Sequence, residues 1–309
     1  MIICLGTTPA LQRTMVFSSL SIDSVNRALE VRQSASGKVI NVARVLHAIG
    51  QQHLAMGFLG GERGRFIRKD LDAAGIRHAF VEVQANTRMC VTVIDRSHGT
   101  ATELVEEPGQ VAGEHWTKLL RKLQVNLRRC AAMVMSGSLA PGGCSDFYAQ
   151  CVKLARKANI PAIVDARGQA LRKAIAQRPM IIKPNREELA SAMGVEIQTE
   201  RQLRDAMTAA ANEGAAWVIL TMGKHGARVT DGKEFWQVHA PPVQILSTIG
   251  CGDALAAGLA AGIVHGQSVI EACVLGAACA AANAITEVAG VVHPDDVNRF
   301  KPLVRIEKL

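Results

Sequence analysis

The stretch Ser247-Thr248-Ile249-Gly250-Cys251-Gly252-Asp253 sets two glycines and a carboxylate between a β-like run, Val243 to Leu246, and a helix-like run, Ala254 to Val264. Glycines at such a junction let backbone N–H groups converge on an anion, and a helix start adds partial positive charge. A carboxylate beside bound phosphate repels it unless it has a chemical task. Accepting a proton during phosphoryl transfer is such a task. The same residues also spell a turn followed by an Asp that caps a helix. Taken alone, the stretch supports both readings. It is not a standard nucleotide motif. A dinucleotide fingerprint would need glycine where Leu255 stands, and Ser36-Gly37-Lys38 is no P-loop, because Val39 and Arg32 occupy two of its defining positions.

The 309 residues are 49% hydrophobic and carry a formal net charge of +8, which suits one large α/β domain with anionic partners. The positive charge is dispersed. Arg121-Lys122 and Arg128-Arg129 punctuate an otherwise apolar helix and read as its solvated face. No RNP-like aromatic motif or Cys/His finger occurs, which argues against nucleic acid and leaves phosphorylated metabolites. The eight cysteines form no C-x-x-C pair, and several sit in apolar runs, as buried thiols of a reducing cytoplasm do. The nine histidines show no ligand spacing. The N-terminus opens on a strand-like run without a charged leader, and the apolar stretches 254–264 and 272–285 are too short to span a bilayer. The expectation is a soluble, cytoplasmic protein with no membrane partner.

Positioning these groups requires a regular scaffold. Strand-like runs at Met1–Gly6, Leu54–Leu59, Ala132–Ser136, Ala162–Asp165, Met180–Lys183 and Trp217–Met222 alternate with helix-like runs. The latter fall at Val39–Ile49, Arg65–Ala74 and near 145–159, 168–176, 186–193 and 200–213. In the first, Val42, Val45, Leu46 and Ile49 share one face. This rhythm predicts a mostly parallel sheet covered by helices. Ligands of such sheets sit at the carboxyl ends of strands. There lie Ser136-Gly137-Ser138, Asp165, Lys183-Pro184-Asn185 and Thr221-Met222-Gly223. Residues 9–35 and 84–108 lack helical periodicity and predict a small β-sheet beside the main layer, read as a lid.

Several separated motifs then line up in order. They are Ser36-Gly37-Lys38-Val39-Ile40-Asn41-Val42-Ala43-Arg44, Gly57-Phe58-Leu59-Gly60-Gly61, Thr87-Arg88, Ser136-Gly137-Ser138-Leu139-Ala140-Pro141-Gly142, Lys183-Pro184-Asn185-Arg186-Glu187-Glu188-Leu189 and Gly250-Cys251-Gly252-Asp253. Together they resemble the ribokinase-like (PfkB) carbohydrate kinases, in the hexose-phosphate branch with 1-phosphofructokinase and tagatose-6-phosphate kinase. The resemblance spans essentially the whole chain. It implies a single three-layer α/β/α domain over 1–309, with a mostly parallel sheet and a β lid. It also implies ATP as donor, Mg²⁺, a phosphorylated ketohexose as acceptor, and a homodimer formed through the lid.

The resemblance also implies roles. Asp253 would accept the hydroxyl proton, and the N–H groups of Gly250, Cys251 and Gly252 would stabilise the moving phosphoryl group. Gln12, Gly37, Lys38, Asn41, Arg88 and Ser138 would hold the acceptor, with Lys38 and Arg88 on its phosphate. Lys183, Asn185, Glu188, Thr221, Gly223, Gly226 and Asn283 would line the nucleotide, and Glu188 would reach Mg²⁺ through water. Each has a plainer alternative: a surface ion pair for the cations, a cap or turn for Asn41 and Ser138, an acidic first turn for Asn185 and Glu188, a satisfied buried amide for Asn283. The chain departs from the family at five positions. Gln12 stands for an Asp that holds sugar hydroxyls. Ser36 and Val39 replace glycines, with side chains expected to reshape the sugar pocket. Ser247 replaces Asp or Asn, and Cys251 replaces Ala. A kinase for a pentose or nucleoside, and a catalytically silent sugar- or nucleotide-binding regulator, are the competing readings.

Overall fold

Side chains alternate across a strand, and here that alternation feeds two separate cores. Ile2 and Cys4 enter one hydrophobic cluster, while Ile3 and Leu5 enter another. Ala132 and Val134 divide from Met133 and Met135 in the same way. The computed structural model describes all 309 residues and sets a nine-stranded sheet between two helical layers. Across the sheet the strands run Arg305–Lys308, Phe235–His239, Ala227–Thr230, Trp217–Thr221, Ile181–Ile182, Ala162–Asp165, Ala132–Ser136, Ile2–Leu5 and His53–Met56. From 217–221 to 53–56 the ladders are parallel, and the remaining ones are antiparallel. Helices Lys38–Ala48, Cys251–Val264 and Val269–Ala284 pack into one core, and Gly113–Leu127, Phe147–Lys157, Gly168–Ile175, Arg186–Met193 and Glu200–Glu213 into the other. The fold class is therefore the expected three-layer α/β arrangement.

Local chemistry fixes several helix starts. Asn185 with Glu188, Thr199 with Gln202, and Ser268 with Glu271 each form a reciprocal capping box. A second sheet orders Glu30–Ser36, Ala10–Phe17, Arg88–Asp95 and Thr100–Val105, and Phe58–Gly60 pairs with Val81–Val83 in a third. No helix is long and apolar enough to cross a membrane.

The structure corrects three boundaries. Leu54–Leu59 is not one strand. The Gly6 N–H donates to the Met56 carbonyl and closes the main-sheet ladder, then the Val81 N–H donates to the Gly57 carbonyl and opens another. Val243–Leu246 is not a strand, because Arg305–Lys308 already occupies the adjoining edge of the sheet. Instead, the N–H groups of Leu246 and Ser247 both point at the Ala284 carbonyl. The helix expected from Ala254 begins at Cys251, and this shift bears on the site.

Candidate active site

Parallel strands end on a common side of the sheet, and a helix start meets them there. Asp165 closes the strand Ala162–Asp165, Lys183 follows Ile181–Ile182, and Thr221 closes Trp217–Thr221. These residues line a cavity of about 210 Å³ together with Lys38, Asn185, Glu188, Gly250, Gly252 and Asp253, and no hydrophobic residue contributes to it.

The two readings of Asp253 now separate. Gly250 is the N-cap of the helix Cys251–Val264, at φ 83°, and no side chain caps it. That left-handed backbone favours glycine. Asp253 is the third helical residue, and its carboxylate accepts from Asn41 Nδ2 at 2.8 Å. The Cys251 N–H, expected to face the phosphoryl group, instead donates to the Thr248 carbonyl at 3.3 Å, while the N–H groups of Gly252 and Asp253 have no protein acceptor, as first-turn groups without a capping side chain must. Two free donors and a positive helix end thus open into a polar cavity, an anion site by elementary electrostatics.

Charge is concentrated here. The Lys38 and Lys183 ammonium groups both lie 3.3 Å from Asp165 Oδ1, and Lys38 also lies 3.6 Å from Glu188 Oε1. Asp165 Oδ2 is buried and unpartnered. A methyl group at Gly252 would approach Lys183 Nζ to 3.3 Å, so that amine adjoins the helix start. Burial pushes the Asp253 carboxyl up to about 6, with Asp165 adding to the rise, while Lys38, Asn41 and Lys183 oppose it. For Asp165 burial acts upward too, but Lys183 and Lys38 outweigh it and hold the carboxyl below its ordinary value. The negative charge of Asp165 raises the Lys38 ammonium above the usual lysine range, against the effect of burial. One carboxylate is thereby held charged between two cations, and a second is poised near neutrality.

Other expected residues fall around this centre. Gly37 is the N-cap of the helix Lys38–Ala48. Asn41 bridges Asp253 and Ser36, whose hydroxyl lies 3.5 Å from Asn41 Oδ1. Cys251 opens the helix Cys251–Val264, with its thiol turned to the Ser247 carbonyl at 3.8 Å and raised in pKa by burial. Gly223 and Gly226 bound a short turn after Thr221, beside a larger cavity of about 680 Å³. That cavity shares Thr221 with the smaller one and is lined by Arg186, Lys224, His225, Arg228, His239 and Arg305, with no carboxylate.

Two expectations, for Val39 and Asn283, need correction; Lys38, Arg88 and Gln12 take the following places. Lys38 lines the cavity of Asp253, while Arg88 lines a groove with Thr8, Asn86 and Thr87. Arg88 donates to the Thr8 carbonyl at 3.1 Å and has no carboxylate partner, and Thr8 in turn donates to the carbonyl of Ser138. Val39 does not reach a sugar pocket; it is 2% exposed and packs in the core against Gly6. Gln12 donates to Thr92 Oγ1 at 2.8 Å within the second sheet. Asn283 is fully buried and holds the Ile249 carbonyl, the Cys251 thiol and the Gly290 N–H, so its amide is engaged inside the protein instead of facing a nucleotide. One residue went unassigned at the sequence level. Asp165 was visible as a carboxylate at a strand end, but nothing nearby in sequence marked the two lysines that flank it.

Mg²⁺ fits this donor set. No group of three or more His, Cys, Asp or Glu residues converges as a metal cage. A cation that keeps most of its water and binds phosphate oxygens needs only one or two carboxylates, and the unpartnered Asp165 Oδ2 and the nearby Glu188 supply them.

The sequence profile of the pfkB family of carbohydrate kinases matches residues 1–293. Solved structures agree over nearly the full length. A candidate phosphofructokinase from Staphylococcus aureus is 28% identical with a TM-score of 0.83, covering 100% of this chain and 99% of its own. Phosphofructokinase-2 from Escherichia coli, solved with potassium, is 25% identical with a TM-score of 0.89, covering 97% and 98%. It has also been solved with fructose-6-phosphate and in a tetrameric inhibited form. A possible 1-phosphofructokinase from Thermotoga maritima superposes at a TM-score of 0.91 over 100% of both chains; at 23% identity it supports the fold.

Proposed function

The chain belongs to the pfkB family of carbohydrate kinases and is a phosphotransferase acting on a sugar hydroxyl, and we propose that it transfers the γ-phosphoryl group of ATP to a phosphorylated ketohexose. One observation carries the transfer step. Asp253 stands beside two free backbone donors and two lysines in a cavity without hydrophobic lining. Asp253 accepts the proton of the attacking hydroxyl, since a carboxyl with a pKa of about 6 is mostly ionised at neutral pH yet basic enough to take a proton. The Gly252 and Asp253 N–H groups, with Lys38 and Lys183, stabilise charge on the transferring phosphoryl group. Asp165 holds the two lysines in place. Bound Mg²⁺, near Glu188 and Asp165, would neutralise phosphate charge and orient the donor.

The donor's nucleoside end lies in the basic cavity beyond Thr221, along the Gly223–Gly226 turn. The acceptor's own phosphate meets Arg88, a cation with only carbonyl partners. Phosphofructokinase-2 from Escherichia coli binds fructose-6-phosphate, which supports an acceptor of this class. The four-stranded sheet serves as the lid that excludes water, and its exposed edge strand Thr100–Val105 offers a pairing surface for a second copy.

A coupled assay for ADP release separates the acceptors. Turnover with fructose 1-phosphate, tagatose 6-phosphate or fructose 6-phosphate, and little with ribose or adenosine, is the expected pattern. Preference for an unphosphorylated pentose or nucleoside overturns the assignment of Arg88 and of the acceptor class.

A further inference from the structure

We infer that the turn 285–290 is a positioning element for phosphoryl transfer, and that the four-stranded sheet acts on the reacting groups through the Arg32–Glu287 ion pair. The inference rests on the proposed role of Asp253 and specifies how its surroundings are set.

Asn283 anchors the turn. Its Oδ1 accepts from the Gly290 N–H at 2.7 Å, and its Nδ2 donates to the Ile249 carbonyl at 2.8 Å and lies 3.4 Å from Cys251 Sγ. One buried amide therefore ties the end of the turn to the residues on either side of Gly250. Thr286 folds the turn from within, donating to the Asn283 carbonyl at 2.9 Å.

Gly290 is wedged between two parts of the site. At φ 75°, it lies so near Asn41 that a Cβ would stand 2.6 Å from Asn41 Cα. On the other side, a Cβ at Gly250 would stand 2.9 Å from Ala289 Cβ and 3.0 Å from the Gly290 nitrogen. The turn thus touches the residue that hydrogen-bonds Asp253 and the residue that caps the catalytic helix. A displacement of the turn moves either the base's partner or the anion-binding backbone.

The same turn carries Glu287, whose Oε2 lies 3.0 Å from Arg32 Nη1. Arg32 belongs to the strand Glu30–Ser36 of the small sheet, and Ser36 at the end of that strand meets Asn41. The sheet therefore meets the centre twice, through Ser36 directly and through Glu287 by way of the turn. Both members of the ion pair are nearly half exposed, so the pair adds little to stability. Its remaining consequence is geometric: it couples the seating of the sheet to the placement of Asn41 and Gly250.

The test uses the full chain with ATP and the acceptor that the panel selects. Glu287→Gln and Arg32→Gln are expected to lower kcat about 3- to 10-fold, with KM for ATP and the melting temperature unchanged. The exchanged pair, Arg32→Glu with Glu287→Arg, built on Glu30→Gln because Arg32 also pairs with Glu30, restores kcat to within about twofold of the Glu30→Gln parent. Amide hydrogen exchange at Ile249 and Cys251, whose N–H groups donate to Ser247 Oγ and the Thr248 carbonyl, gives a readout independent of turnover: faster in Glu287→Gln, and slow again in the exchanged pair. Wild-type kcat and wild-type exchange in both single variants overturn the inference, and so does a loss that the exchanged pair fails to restore. If those variants behave as wild type while Asp253→Asn is inactive, the coupling alone fails. If Asp253→Asn retains turnover, the reading beneath it fails.

Discussion

The cavity of Asp253, where we propose transfer, and the groove of Arg88, where we propose that the acceptor's phosphate binds, are held together by different kinds of atoms. In the cavity, buried side-chain charges hold one another: Asp165 sits between Lys38 and Lys183, and Asp253 rests on Asn41. In the groove the backbone does the holding. Arg88 rests on the Thr8 carbonyl, and the Ser138 carbonyl accepts from both Thr7 and Thr8. Removing one member of the first network leaves an uncompensated buried charge, whereas a side chain that rests on carbonyls can be exchanged with less disturbance. On the proposed assignment, chemistry is fixed on one side and recognition stays adjustable on the other. Gln12, a departure on the acceptor side, donates to Thr92 Oγ1 within the small sheet.

Breaking the contrast starts at its charged end. Asp253→Asn is expected to lower kcat roughly 10²- to 10⁴-fold with acceptor KM little changed. In the wild type, kcat/KM rises with pH through about 6 as Asp253 loses its proton, and this acidic limb disappears in the variant. Full turnover by Asp253→Asn in a coupled assay would erase the distinction between the two regions. Arg88→Gln sharpens the contrast from the other end. It is expected to raise the KM of a phosphorylated acceptor about 10- to 100-fold, the worth of a charge-assisted pair, with kcat and the KM for ATP nearly unchanged. A kcat loss exceeding the KM effect would place Arg88 in the transfer machinery instead.

The same division explains what could be read from the chain. Helices near 186–193 and 200–213 were legible in the sequence, and in the structure capping boxes mark their starts and glycines follow their ends. The buried parallel strands were legible as short apolar runs. Val243–Leu246 looked like one of them, but whether an apolar run becomes a strand depends on a free edge, which sequence does not show. The motif around Asp253 named a chemistry, yet the capping alternative fell only when Gly250 proved to hold the cap position. Asp165 stayed unassigned because its meaning lies in two lysines distant in sequence. Asn283 was read as facing a nucleotide, since an Asn on an apolar helix does not disclose which carbonyl it serves. Lys38 and Arg88 were placed on one phosphate because both are cations; where each sits in the cleft depends on how the small sheet packs against the main one.

The smallest expected effect concerns stability, and it tests whether the transfer cavity is strained by the charge it needs. The Asp253 carboxyl is raised from an ordinary 3.8 to about 6 by burial. A raised pKa means the folded protein holds the proton more tightly than the unfolded chain. Its contribution to stability is then fully present below about pH 4 and is lost as pH rises through 6, about 3 kcal/mol in all. Asparagine is neutral throughout and escapes that loss. Asp253→Asn should therefore be more stable than the wild type at pH 8, and its advantage there should exceed that at pH 5 by about 1 kcal/mol. Urea unfolding of both proteins at the two pH values measures the difference. An advantage that is the same at both, or larger at pH 5, would mean that Asp253 is solvated or fully compensated by Lys38 and Asn41. The cavity would then hold its base without strain, and on stability grounds it would no longer differ from the acceptor groove.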